Sequence, residues 1–598
     1  MLNPDVRSMY TNAVTPPPGY IFDQALATTY SLDPAALLSL PTHIALGEST
    51  AAKEADPIKL LESLRRLSGC FSVYADHAGM KVPSGSNVLF GLLEKMVTPV
   101  KAPRGGVFHP KVWVLRFVQP DRDEPALIRL LVLSRNITFD RSWDISLQLE
   151  GTVSGRNIAT NHPLSIFLKN LPDLATTHVS CEKRQQARFL AEEVRKTQWE
   201  LPEGFEEIGF HILGMTNKAW TPAWSKRMVI ISPFISDKAV EHLYENTDTI
   251  VAIISRPEEL NALNRTTFKC CEDWYVLDDA AETEDGEEPE HRDTVGLHAK
   301  VYICEEGSTA RIYLGSANAT TAAIFRGNNI ELLVELTGKK NRVGSINNFL
   351  SEESLGPLLS KYDPPEKISI EDKKEMEAQK TLDGAKRILS ESGLSIQCTR
   401  NGDTWDLHLV AKNIVNLHGI SQVKAWPITV SDEHAVDIQE LFLSATVDIG
   451  KYATESVTSL IAFELTEEIL HQKTRLVLNL PIEGLPSDRD DAIFKLIVKN
   501  RNDFLRYILL LLGEDMDGIF GTVQTGSTDS KAAWRMDNRS TPLLEEMVRA
   551  FSRHPEKISS VQDVVDRLMS RGMEGDIVPK EFLELWKVFD RAHKGKNK

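Results

Sequence analysis

The sequence predicts an α/β fold built from two similar halves, followed by an all-β segment and an all-helical one. Three observations predict it. Short β-branched runs alternate with helical patterns through the first 345 residues or so, the alternation restarts near Pro202, and beyond residue 393 strands and then helices come in separate blocks. At 598 residues the chain is too long for one hydrophobic core, so several domains are expected.

In the first half, residues 1–203, Phe71–Tyr74, Val112–Phe117 and Ile128–Leu133 read as strands and Ser86–Met96 as an amphipathic helix. In the second half, residues 204–360, the strands are Met228–Ser232, Thr249–Ile254, Ala299–Ile303, Arg311–Gly315 and Glu331–Glu335, with a helix from Asp237 to Glu245. The shared order amounts to an internal repeat of about 190 residues. Residues 361–392 are polar and helix-prone after Pro364-Pro365, as a linker helix would be. In 393–484, Leu394–Cys398, Thr404–Val410, Val423–Trp426, Ala445–Val447, Leu460–Phe463 and Thr474–Asn479 are evenly spaced short strands, which predicts an antiparallel β-sandwich. Residues 485–598 follow a helical period. The apolar run Tyr507–Gly513 is far shorter than the roughly 20 residues of a membrane span and reads as a buried helix. The basic end Lys594–Lys598 reads as a frayed tail.

Composition narrows the function class. The first residues carry no basic stretch leading into an apolar core, so the expectation is a cytoplasmic chain that does not enter a membrane. Six cysteines (Cys70, Cys181, Cys270, Cys271, Cys304 and Cys398) lack zinc-ligand spacing and read as reduced structural thiols, with no metal or other cofactor implied. A net charge of -17 argues against non-specific coating of nucleic acid. Charge is uneven, however: Asp278–Asp293 holds nine acids and one Arg, whereas Lys101–Arg141 holds eight bases against four acids. A locally basic site therefore exists within an acidic protein. The acidic tract reads as a solvated loop or, more sharply, as a phosphate mimic lying over a site.

The chemistry concentrates in two segments. Phe108-His-Pro-Lys111 leads into a strand and then Ser134-Arg-Asn136; Leu297-His-Ala-Lys300 leads into a strand and then Ser316-Ala-Asn318. Cleaving a phosphodiester needs a nucleophile on phosphorus, an acid for the leaving oxygen and positive charge for the equatorial oxygens. Two imidazoles, two ammonium groups and two amides meet those needs without a metal. One His attacks to give a phosphohistidine, and the other protonates the leaving oxygen and then activates water. Lys111, Lys300, Asn136 and Asn318 would hold the phosphoryl oxygens, with Ser134 and Ser316 orienting the lysines or the phosphate. Asp144 and Glu331 are placed to orient the imidazoles through their far nitrogens. The arrangement demands that His109 and His298 face each other across a gap of ~6 to 7 Å.

These paired motifs resemble the His-Lys-Asp signature of the phospholipase D superfamily over about residues 20 to 345. Gly315-Ser316-Ala-Asn318, Asn329-Ile-Glu331 and Ser232-Pro-Phe-Ile-Ser236 carry the likeness most closely. The loose spacing from Lys to Asn looks more like the tyrosyl-DNA phosphodiesterase and bacterial nuclease-like branch than the lipid-cleaving one. The resemblance implies a duplicated phospholipase D-like α-β-α sandwich whose two halves form one site, with His109 as nucleophile and His298 as general acid. Three positions depart from the pattern: Arg116 and Glu305 stand where the signature has aspartate, and Leu133 stands where it has glycine.

The expected function is therefore a metal-independent nuclease on DNA or RNA, with a phospholipid phosphodiesterase and a catalytically silent nucleic-acid-binding subunit as the open alternatives. Relatives of this layout resemble components of prokaryotic restriction or phage-defence systems. No Gly-x-x-x-x-Gly-Lys-Ser/Thr loop occurs, so any translocation would have to come from a separate helicase or ATPase partner. The oligomeric state is open.

Overall fold

The computed structural model of the protein describes residues 10–46, 56–120, 124–216, 218–278, 295–363, 370–413, 416–512, 543–553, 555–570 and 577–596. The acidic tract beyond Asp278, the Pro364-Pro365 pair, Gly513 and the last two residues of the tail lie outside them. The chain forms two compact units, one of residues 1–51 with 66–486 and one of 52–65 with 487–598.

The first unit is a mixed α/β body containing two sheets laid out on one plan. In the first sheet, β1 (Ile21–Thr29), β2 (Phe71–Asp76) and β3 (Val97–Val100) run parallel. On the other side of β1, β4 (Val112–Val118), β5 (Leu127–Leu133), β7 (Ser146–Val153) and β8 (Thr197–Trp199) follow antiparallel, while β6 (Arg141–Trp143) stands apart. In the second sheet, β10 (Ser225–Ile231), β11 (Thr247–Ile254) and β12 (Cys271–Leu277) are the parallel strands. There β14 (Val301–Glu306), β15 (Thr309–Gly315), β16 (Glu331–Lys339) and β9 (Phe205–Leu213) follow antiparallel, and β17 (Leu359–Lys361) adds to the far edge. So β10 takes the place of β1, β14 of β4, β15 of β5 and β16 of β7.

The central strands are covered on both faces, which is why they read as continuous apolar runs rather than alternating ones. Val112, Val114, Ile128 and Leu130 of the first sheet and Val229, Ile231, Val301 and Ile312 of the second belong to one continuous buried core. Two short parallel contacts stitch the sheets together. One pairs β6 with β13 (Val295–Leu297). In the other, Ile330 accepts from the His109 amide at 3.0 Å and donates to the Val107 carbonyl at 3.0 Å. Glycine makes the second approach possible: a Cβ on Gly106 would sit 2.0 Å from the Asn328 carbonyl oxygen.

One expected element is corrected. The helix read over Ser86–Met96 shrinks to Phe90–Leu93, because Asn87 opens a turn by accepting the Leu89 amide at 2.9 Å and β3 already begins at Val97.

Two four-stranded sheets complete this unit. One has the order β22 (Thr446–Tyr452), β19 (Thr404–Ala411), β18 (Leu394–Asn401), β25 (Ile482–Glu483); the other has β21 (Val436–Asp437), β20 (Ile420–Pro427), β23 (Leu460–Glu467), β24 (Lys473–Asn479). They share an apolar core to which the helix Ile370–Glu391 contributes Leu382, Ala385 and Leu389. Polar bonds fix this core to the first sheet: Glu94 accepts from the Ser459 amide at 2.9 Å and hydroxyl at 3.0 Å, and Asn479 donates to the Val97 carbonyl at 3.1 Å. The helix therefore lies against the body rather than spanning between bodies.

The second unit is helical, with Arg489–Ile497, Arg501–Leu512, Leu543–Arg553, Pro555–Ser570 and Lys580–Lys596. Phe504, Tyr507, Ile508 and Leu511 are buried within it, and Tyr507 donates to Glu62 at 2.5 Å. No helix among the described residues is long and apolar enough to cross a membrane.

Candidate active site

Both His-x-Lys segments enter the molecule at the stitches between the sheets, so each histidine is delivered to the seam. There each is completed by the opposite half. His109 Nδ1 lies 2.8 Å from Glu331 Oε2 and 3.0 Å from the Ser316 carbonyl oxygen. His298 Nδ1 lies 2.8 Å from Asp144 Oδ1. The carboxylates fix the Nδ1–H tautomer on both rings and leave both Nε2 lone pairs available. The side chains are only 11% and 16% exposed, so little water competes for them.

The serine hydroxyls engage the carboxylates and not the lysines, unlike the lysine contact expected for Ser134 and Ser316. Ser134 Oγ donates to Asp144 at 2.8 Å and Ser316 Oγ to Glu331 at 2.6 Å. Both hydroxyls also accept a backbone amide, Ile145 at 2.8 Å and Leu332 at 2.9 Å, which locks each acid behind its histidine. Gly315 permits this in the second copy: its φ is 152°, and a Cβ there would meet the Leu332 oxygen at 2.2 Å. Leu133 needs no such freedom, since the only described non-glycine residues at positive φ are Arg104, Ala445 and His471.

Lys111 and Lys300 are both buried, and each donates to the carbonyl oxygen of its own histidine, at 2.9 and 2.5 Å. Burial holds the Lys300 ammonium down to about 7, with Asp144 and Glu331 pulling the other way. Burial and the neighbouring Lys300 push Lys111 well below the usual lysine range. His109 is lowered by burial and the two ammonium groups against the pull of Glu331, and His298 is lowered to about 3 by burial and Lys300. Burial raises Asp144, but its bond to His298, Ser134 and the charge of Lys300 hold it below the usual carboxylate range. The site thus favours neutral imidazoles, an ionised Asp144 and lysines whose ammonium form is held down by burial.

The two Ser-x-Asn loops are pinned alike. Thr29 Oγ1 accepts the amide of Ile137, the residue after Asn136, at 3.2 Å, and Ser232 Oγ accepts that of Ala319, the residue after Asn318, at 2.9 Å. Asn136 Oδ1 takes the Ser31 amide at 3.1 Å, and among the described residues its NH2 group has no hydrogen-bond partner. Asn318 Oδ1 is buried and has no hydrogen-bond partner among the described residues. A ring from Tyr30 closes over the first half, 5.2 Å from that of His109 and 6.0 Å from Lys111 Nζ. Burial, Asp76 and Asp383 raise its phenol to about 12, so it stays protonated.

Hydrogen bonds thus tie His109 to Glu331 and Glu331 to Ser316, and His298 to Asp144 and Asp144 to Ser134, with Lys111 and Lys300 on the histidine carbonyls and Asn136 and Asn318 in the two pinned loops. Glu305 and Arg116, at the departures from the signature, are turned to other work: Glu305 accepts the Ile346 amide at 2.6 Å, and Arg116 pairs with Asp23 and Glu193. Thr29, Ser31 and Tyr30 escaped the sequence reading. The signal for them was the alignment of Thr29-Tyr-Ser-Leu-Asp33 with Ser232-Pro-Phe-Ile-Ser236, both closing a parallel strand.

No protein-family model and no curated protein sequence matches the chain. Among solved structures it is similar to a mutant of yeast tyrosyl-DNA phosphodiesterase, at 10% identity over 55% of this chain and 84% of that one, with a TM-score of 0.33. It is also similar to phosphatidylserine synthase of Haemophilus influenzae Rd KW20, at 12% identity over 62% of this chain and 90% of that one, with a TM-score of 0.32.

Proposed function

We propose that the protein is a phosphodiesterase of the phospholipase D type acting on nucleic acid, with residues 1–203 and 204–360 as its two catalytic halves. One observation carries this reading: His109 and His298 each hold a carboxylate of the opposite half on Nδ1, Glu331 and Asp144, and each is followed two residues later by a buried lysine. That set provides a nucleophile, an acid and an anion hole. The basic stretch Lys101–Arg141 around His109 favours a nucleic acid as the anion.

In the first step His109 Nε2 forms a bond to phosphorus, the bond to the leaving oxygen breaks, and that oxygen takes a proton from His298. The proton arrives with the substrate. Burial, and after it the charges of Lys300 and Lys111, hold the His298 ring neutral; a bound phosphodiester anion counters the two ammonium groups and so favours uptake of a proton. In the second step water gives a proton to His298 and its oxygen attacks phosphorus, while the phosphorus–nitrogen bond breaks and returns its electron pair to His109. Lys111, Lys300, Asn136 and Asn318 hold the equatorial oxygens throughout.

The test is cleavage of single- and double-stranded DNA, RNA and phosphatidylcholine in excess EDTA. Nucleic acid is expected to be cut, with at least a ~10³-fold loss in His109→Ala and His298→Ala. Turnover of lipid alone, or cleavage that survives both substitutions, overturns the reading.

A further inference from the structure

The two halves are matched closely enough to compare position by position, and at one position their charges are opposite. Thr29 and Ser232 correspond, since each accepts the amide after its asparagine. Thr29 pairs with Ala75 on the neighbouring strand, and the parallel register Ile231 with Ile254 carries Ser232 to Ser255. Asp76 and Arg256 are then counterparts. Both act on the residue just before the histidine: Asp76 Oδ2 accepts the Phe108 amide at 2.8 Å, and Arg256 Nε donates to the Leu297 carbonyl at 2.9 Å.

Asp76 is buried and spent on backbone amides, Ala78 at 3.0 Å besides Phe108. Arg256 is different. It is half-buried, its guanidinium carbon sits 5.2 Å from the centroid of the Phe234 ring, and among the described residues no carboxylate lies within 4.0 Å of it. Phe234 is 40% exposed although it belongs to the turn that holds the Asn318 loop, through the bond from Ser232 Oγ to its carbonyl. A guanidinium with no carboxylate beside it among the described residues, backed by an open aromatic face, is a match for one phosphate and one base.

We infer that Arg256 and Phe234 form a one-sided subsite on the His298 flank that binds the next phosphate and base of the departing strand, and that the Asp76 flank has no equivalent. This rests on the phosphodiesterase reading, in which His298 stands beside the leaving oxygen. The strand is then gripped on the side that leaves, so a single-stranded polynucleotide is preferred over a diester whose leaving group lacks a further phosphate.

Two measurements on the full chain test it. The first is the ratio of kcat/KM for a short single-stranded oligonucleotide to that for bis(p-nitrophenyl) phosphate. It is expected to fall ~10-fold or more in Arg256→Met and in Phe234→Ala. An unchanged ratio overturns the subsite, whereas no turnover of either substrate by the unaltered protein overturns the phosphodiesterase reading instead. The second, on His109→Ala protein that cannot consume the strand, is the salt dependence of oligonucleotide binding. Adding Arg256→Met should reduce the slope of log K against log salt by about 0.7, the value for one phosphate contact on a single strand. Adding Phe234→Ala should weaken binding of the oligonucleotide but not of its abasic counterpart. An unaltered slope, or equal loss on both strands, also overturns the subsite.

Discussion

At the scale of single residues, the site is dominated by charge held in reserve. Lys300 is buried and stays protonated only below about 7, far under the ~10.4 of a free lysine. Because the unfolded chain keeps that proton to higher pH, folding stability should rise as pH increases from about 7 toward 10. Lys300→Met removes the penalty. It is expected to melt at a higher temperature than the unaltered protein near pH 6 by differential scanning calorimetry, with the advantage fading toward pH 10, and to be inactive. Tungstate, a dianion throughout this range, should bind more weakly as pH climbs past about 7, measured by titration calorimetry. A flat affinity profile would show that the ammonium is not what receives the anion. The eight motif residues could be picked out in the sequence because His-x-Lys and Ser-x-Asn recur at matching places. The serine roles were not, since a hydroxyl's partner depends on which strand lies behind it, and Ile145 and Leu332 are brought there only by folding.

At the scale of elements, strands such as Val112–Phe117 and Met228–Ser232 were readable because β-branched apolar runs have few alternatives, whereas β1, β3, β7 and β12 were not read. The helix expected over Ser86–Met96 failed because apolar spacing outweighed the turn chemistry of Asn87. β9 was overlooked, although Phe205–Leu213 lies in register with all of β16 but its last residue. Its pattern of exposed and half-buried residues lacks the buried run that marked the others. The stitch at Val107–His109 depends on the absent side chain of Gly106. Gly106→Ala should force the Asn328 carbonyl away, misplace His109 and lower phosphodiester turnover ~10²-fold. Far-UV circular dichroism should stay the same, which separates displacement of the histidine from unfolding. Full activity in that variant would mean the stitch does not set the position of His109.

At the scale of the whole molecule, reciprocity is the feature that spacing could not reveal. Asp144 and Glu331 were both recognisable as orienting acids, yet nothing in their distance along the chain says that each serves the other half's histidine. The exchange separates two kinetic defects. Glu331→Gln, in the second half, should slow phosphorylation of His109 in the first and give no burst in rapid-quench kinetics. Asp144→Asn, in the first half, should impair the acid and base work of His298, so that phosphoenzyme accumulates ahead of a slowed hydrolysis. Losses of ~10² to 10⁴ are expected for either. If the two patterns appear the other way round, the histidine roles are reversed.

The reciprocal bonds also bear on how such a chain could arise. A solitary half would carry a histidine without its acid and an acid without its histidine, whereas two identical copies set face to face would complete one another. A chain consisting of one such half alone would thus work only as a symmetric pair, obliged to treat both ends of its substrate alike. With both halves in one polypeptide that obligation does not hold, and aspartate at 76 opposite arginine at 256 is a difference that identical copies could not carry.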